Sequence, residues 1–352
     1  MSRNARFQLL VFSLLGWLVP AGAQELFPLH ATNSAARVVV ARAEDLLNAF
    51  VPDEARTEEL FNRGLIFFTR QTTVSNAWRS LVATTDVVGI KVFSEPGAVC
   101  GTRPAVVAAM VRGLLAAGLP PEHLIIWDRH AADLRTSGFF ELARTLPVRV
   151  LGAAEAGYDT NAFYLPDSPV VGKLVWGDLE FGLTNKDFSI GKRSFVSKLV
   201  SQQLTKIISV APLLNENSAG VCGHFFSLGL GSVDNTRRFD GSAERLAVAL
   251  PEIAALPQIG DRVALYVTDA LLAQYQGGPA GYLQFSTVNN ELWFSNDPVA
   301  LDTLALRELM LERRLLDAPP LPSNFAIYTN AMLLQLGMNN PSRIQIEKVP
   351  MK

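Results

Sequence analysis

Val87–Phe93 reads VVGIKVF, Ser94–Thr102 reads SEPGAVCGT, Thr102–Gly118 reads TRPAVVAAMVRGLLAAG and Leu124–Asp128 reads LIIWD. The first stretch is short, apolar and rich in β-branched residues, as a strand buried on both faces must be. The second is a Gly-containing loop. The third is a helix: Thr102 is the expected N-cap and Pro104 sits in the first turn. Val107, Met110, Val111, Leu114 and Leu115 recur at i, i+3, i+4, i+7 and i+8, which makes one apolar face. Gly118 stops that helix and Pro120-Pro121 follows. LIIWD is then a second buried strand. Strand, loop, helix and strand in succession form a βαβ unit, whose crossover is right-handed.

Outward from this unit the alternation continues. Val148–Leu151 is a short strand, and Lys198–Leu204 leads into Lys206–Val210 (KIISV), a strand expected to end at Pro212. Arg262–Asp269 (RVALYVTD) and Leu292–Ser295 are further strands. Asp297 as N-cap and Pro298 at N1 open a helix running to Arg313. Upstream, residues 24–85 read as a helical segment packed on the main domain, with helices over Arg42–Phe50, Thr57–Phe68 and Thr72–Leu81. Downstream, residues 314–352 read as a Pro- and Asn-rich closing segment with one short helix. The fold class is therefore α/β: a mostly parallel sheet with flanking helices, a layered sandwich whose main domain covers residues 86–313.

The N-terminus has the form of a secretory signal over residues 1–23. Arg3 and Arg6 precede the apolar stretch Phe7–Val19, Pro20 breaks it, and Ala21-Gly22-Ala23 is a small-residue cleavage pattern. About 13 apolar residues are fewer than the ~20 needed to span a bilayer. The expectation is an exported protein, periplasmic or secreted, with no membrane span after the signal is removed. Across the chain 31 basic side chains face 33 acidic ones, and 49% of residues are hydrophobic. No Lys/Arg run stands out, which argues against a nucleic-acid partner. GxSxG, HExxH, Walker A and CxxC are all missing, so no standard hydrolase, zinc-protease or NTPase signature names a reaction.

In open parallel sheets, ligands bind outside the C-terminal strand ends. That rule selects Lys91, Glu95, Cys100, Thr102 and Arg103 after the first strand, and Asp128, Arg129 and His130 after the second. It also selects the loop Asn215–His224, Asp269 and the turn Gly277-Gly278-Pro279. Lys91 within an apolar strand must reach a cleft or pair with a carboxylate. Gly97–Thr102, opening a helix, offers backbone N–H groups to an anion. Asp297 is explained by capping; Asp302, in the second turn of an apolar helix, needs a site or a structural partner. Lys91, Asp128, Asp269 and Asp302 are the candidate catalytic residues. Thr102, Arg103, Cys100, Cys222, His224 and Gly278 are the candidate binding residues. The ligand class stays open between small molecule, anion and metal. The two cysteines, in V-C-G-T and V-C-G-H, leave three readings open: a disulfide, a thiol or soft-metal site with His224, or two unrelated thiols.

Taken in order, several segments resemble the domain of unknown function 362 family. They are VGIKV (Val88–Val92), the helix Thr102–Gly118, WD (Trp127-Asp128), SVAP (Ser209–Pro212), AGVCG (Ala219–Gly223), VTDAL (Val267–Leu271), GGPAG (Gly277–Gly281) and NDPVALD (Asn296–Asp302). The resemblance covers about residues 86–310. It implies an α/β fold, carries no established reaction, and matches at Lys91, Thr102, Pro104, Asp128, Asp269, Gly278, Pro279, Asp297 and Asp302. Some members hold ferredoxin-type clusters; two cysteines cannot ligate a four-cysteine iron–sulfur cluster. Where the family has a Lys-rich P-K-x-K-x-H stretch and T-G-A-L-K-N, this chain reads APLLNEN (Ala211–Asn217) and CGHFFSLGL (Cys222–Leu230). The departure leaves two alternatives: an exported protein with a ligand site at the strand ends, or a non-catalytic binding or structural member that has lost the lysine-rich site.

Overall fold

The computed structural model describes residues 35–167, 170–182, 190–320 and 323–350; the expected signal, Met1–Ala23, lies outside them. Nine strands form the central sheet: β1 (Ala36–Arg42), β2 (Val88–Lys91), β3 (Leu124–Asp128), β4 (Arg149–Gly152), β5 (Lys206–Glu216), β6 (Gly220–Val221), β7 (Val263–Gln274), β8 (Ser286–Ser295) and β9 (Ile344–Lys348). Their order is β9-β1-β8-β7-β5-β2-β3-β4, with β6 hairpinned onto the end of β5. The pairs β4/β3, β3/β2, β2/β5, β5/β7 and β1/β9 are parallel, and β8 runs antiparallel between β7 and β1. The mostly parallel α/β expectation holds.

Helices cover both faces. Along β7, Leu265, Val267 and Leu271 point into one apolar core while Tyr266 and Ala270 point into the other, the period-two alternation of a strand. The first core packs under α1 (Glu54–Thr69) and α2 (Pro104–Ala116). The second packs under α3 (His224–Ser232), α4 (Ala243–Ala254), α5 (Pro298–Leu315) and α6 (Phe325–Leu333). Every residue of β2 and of β3 is buried, which is why both read as unbroken apolar runs. Among the described residues no helix is long and apolar enough to cross a membrane.

The ends of the chain differ from the sequence reading. Residues 24–85 contain β1, seated between β8 and β9, as well as two of the three expected helices, Glu54–Thr69 and Val74–Arg79. Its partners come from the far end of the chain (Val39 opposite Phe294, Val38 opposite Ile346), so nothing local announces it. Arg42–Phe50 is not a helix. Asp45, Ala49 and Phe50 take positive φ, and Leu47–Asn48 pairs with Val51–Pro52 in a small hairpin. The closing segment holds α6 but also the edge strand β9. Likewise β5 does not stop at Pro212: it shifts register there and continues to Glu216.

Candidate functional site

Strand alternation turns Lys91 away from the α2 side, toward α3. There its ammonium is fully buried and donates to Asp128 Oδ1 (2.7 Å), Ser227 Oγ (2.9 Å) and the carbonyl of Val92 (2.5 Å). All three of its protons are used. Burial pulls the Lys91 pKa down and the Asp128 charge pushes it back up. Gly231 of α3 makes the room: a Cβ there would stand 2.3 Å from Lys91 Cε and 2.9 Å from its Nζ. Asp128 is itself held on both oxygens. Oδ2 accepts from the N–H and hydroxyl of Ser94 (2.7 Å each), and Oδ1 accepts also from the N–H of Arg129 (2.8 Å).

Asp128 forms the back of a cleft of about 400 Å³ at the C-terminal ends of β2, β3 and β5. Five carboxylates line it: Glu95, Asp128, Asp133, Glu216 and Asp240. Arg129 and His130 are the basic side chains that line it with them, while Phe93 and Phe226 supply an aromatic wall, edge to face at 6.0 Å. The acid groups feel one another. Glu95 is pushed above the usual carboxylate range by desolvation and then by Asp133, Asp128 and Asp240, with Arg129 opposing. Asp133 is raised by desolvation, with Asp128 and Glu155 adding and His130 opposing. Glu216 is raised by burial although it accepts the N–H groups of Ser218 and Ala219. Among the described residues no three His, Cys, Asp or Glu side chains converge as a metal-ligand set.

The remaining sequence candidates lie in separate buried contacts. Asp269 accepts the backbone N–H of Arg103 (2.9 Å) and its guanidinium (2.7 Å). Thr102 does not cap α2, whose N-cap position is Arg103. Its hydroxyl instead accepts from the N–H of Phe93 and donates to the carbonyl of Val210, tying the loop to β5. In the Gly97–Thr102 loop three backbone donors are already used. The N–H groups of Gly97, Gly101 and Thr102 are bonded within the loop, and that of Arg103 goes to Asp269.

Asp302 does not join the cleft. From α5 it accepts the N–H groups of His224 (2.8 Å) and Phe225 (3.0 Å), capping α3 from a distance. This is the structural alternative the sequence left open, and no local signal distinguished it. Burial drives Asp302 up to about 7 against those two hydrogen bonds. His224 lies fully buried against Ser209 Oγ (2.8 Å), with its other ring nitrogen 3.4 Å from Thr268 Oγ1, and burial lowers it to about 3. A neutral ring with both nitrogens engaged is not poised as a metal ligand. Cys100 and Cys222 are free, buried thiols. Cys100 packs at Gly281; the Cys222 thiol donates to the carbonyl of Asn215. Burial raises both pKa values, which leaves each a poor nucleophile. Gly278 donates its N–H to Asn215 Oδ1, and a Cβ there would overlap the Asn215 carbonyl at 1.6 Å.

The structure therefore places Asp128 in the cleft with Lys91 buried behind it as its ion-pair partner, and leaves Asp269 and Asp302 out of it. Asp133, Glu216, Asp240, Phe226 and Ser227 were missed. Glu216 stands inside the loop region that the strand-end rule selected, whereas Asp240 precedes α4 and carries no local signal. Compared with known proteins, the sequence matches no family model and no curated protein.

Proposed function

We propose that the protein binds a small organic cation in the cleft at the C-terminal ends of β2, β3 and β5. The observation that carries this reading is the set of five carboxylates lining one cavity beside Phe93 and Phe226. Like charges gathered in a partly desolvated space raise each other's pKa, and a bound cation relieves that repulsion. The acid groups surround the cleft rather than converge on a point, which suits an ammonium compound with an apolar part more than a bare metal ion. Phe93 and Phe226 fit that apolar part and a cation–π contact. The proposal retains the export expected from residues 1–23 and the resemblance to the domain of unknown function 362 family, whose lysines this chain lacks. An acidic cleft agrees with their loss.

A second reading, acid–base catalysis in the same cleft, is favoured by one contrast. Asp128 is fixed by Lys91, Ser94 and Arg129, whereas Glu95 beside it is held above its usual range and can exchange a proton.

Isothermal titration with 1,4-diaminobutane, choline, inorganic phosphate and magnesium tests the binding proposal. The amines are expected to bind, and Glu95→Gln and Asp133→Asn to weaken them at unchanged melting temperature. Binding of phosphate alone, or amine binding indifferent to both substitutions, would overturn it.

A further inference from the structure

Two basic residues adjoin Asp128, and the chain uses them differently. Lys91 lies behind the cleft and pairs with Asp128 at 2.7 Å. Arg129, the residue after β3, lines the cleft itself. Its backbone N–H donates to Asp128 Oδ1 (2.8 Å), and its Nη1 donates to Thr236 Oγ1 (2.9 Å) in the connection between α3 and α4. That second bond fixes one corner of the guanidinium. Its Nε is buried and has no hydrogen-bond partner. Among the described residues no carboxylate forms an ion pair with Arg129, although five line the same cavity. With Nη1 taken, Nε and Nη2 remain: the parallel pair of donors that a carboxylate fills with both oxygens.

The acids opposite are in the same condition. Glu95 and Asp133 are desolvated, no hydrogen bond offsets this, and the pull of Arg129 on each ranks behind desolvation and the other nearby charges. Opposite charges that closed on one another would need no ligand. Here they share one cleft and stay apart. A simple ammonium would satisfy the acids and stand against the bare guanidinium. A simple carboxylate would satisfy Arg129 and meet the surplus of acids. Only a ligand that carries both charges answers both. Arg129 and Asp133 come from one short connection, four residues apart, so the two charges of that ligand are close together. Phe93 and Phe226 leave an apolar wall for the rest of it. A phosphate fits the same pair of donors, but with up to two charges it is repelled more strongly by the acids.

We propose that the ligand is an α-amino acid with an apolar side chain. Its carboxylate lies on the Nε–Nη2 edge of Arg129, its ammonium between Glu95 and Asp133, and its side chain against Phe93 and Phe226. This rests on the cation reading above and narrows it.

Isothermal titration of the full-length chain with L-phenylalanine, 2-phenylethylamine, 3-phenylpropanoate and O-phosphoethanolamine tests it. Phenylalanine is expected to bind about tenfold or more tightly than the amine, the factor that a charge-assisted contact supplies. Phenylpropanoate, without an ammonium, is expected not to bind. Arg129→Gln should bring phenylalanine down to the level of the amine and leave the amine unchanged or tighter. Arg129→Lys keeps the charge but loses the paired donors, and should retain only part of the gain. Equal affinity of the wild type for phenylalanine and 2-phenylethylamine would overturn this inference and leave the cation reading standing. So would phosphoethanolamine binding more tightly than phenylalanine. An Arg129→Gln variant that weakens both ligands alike would show a structural role and overturn it too. If neither phenylalanine nor the amine binds, both readings fall.

Discussion

Asp269 at the bend of β7 holds Arg103 twice, accepting its backbone N–H at 2.9 Å and its guanidinium at 2.7 Å, with both side chains essentially out of water. The pair fixes the entry of α2 onto the sheet. Removing one partner strands the other as an uncompensated buried charge, so Asp269→Asn should cost about 3–5 kcal/mol. Arg103→Met combined with Asp269→Leu should cost much less than the sum of the single changes. Urea denaturation of the three variants measures this. Amine binding in the cleft should survive in any of them that folds.

Asp302 and His224 adjoin at the start of α3, and their pH effects oppose each other. The folded-state pKa of Asp302, about 7, lies above the ~3.9 of an unfolded Asp. The folded chain therefore holds the extra proton, and this contribution to stability falls as pH rises from about 4 to about 7. His224, at about 3 when folded against ~6.5 unfolded, does the reverse: its contribution rises with pH across about 3 to 6.5. Relative to wild type, Asp302→Asn should steepen the loss of stability on acidification, and His224→Gln should flatten it. Asp302→Asn should also cost roughly 1–3 kcal/mol near neutral pH by spoiling the cap. Chemical denaturation from pH 4 to 7 reads both slopes. Identical slopes in all three proteins would refute the argument.

Both thiols should resist alkylation in the folded protein, because each is buried with a raised pKa. Unfolded without reductant, the chain should take up iodoacetamide at Cys100 and at Cys222, seen by mass. An unlabelled chain would instead show that the two had formed a disulfide.

Gly231 is the space into which Lys91 extends. Gly231→Ala places a methyl against a lysine that has nowhere to retreat, and overpacking of this kind costs about 1–3 kcal/mol. Thermal melts should register the loss, and Gly241→Ala provides a comparison at a glycine with open space but positive φ.

What the sequence by itself determined was local. VVGIKVF and LIIWD are apolar on both faces because β2 and β3 are buried on both faces, and Asp297-Pro298 starts α5 because capping needs only neighbouring residues. Lys91 and Asp128 were legible for the same reason: a charge in or ending an apolar strand demands a partner, and each is the other's. What depended on distant partners was decided only by the tertiary structure. β1 and β9 are strands because the two ends of the chain meet at one edge of the sheet. Asp302 and Asp269 match the pattern of site residues, yet each is consumed by a buried N–H or guanidinium from a remote segment. Glu95, Asp133, Glu216 and Asp240 come from four separate segments of the chain, so their shared cleft exists only once the strand ends are side by side. Capping and burial are written residue by residue; whether a carboxylate faces water, a ligand or another part of the chain depends on which segments the fold sets against it.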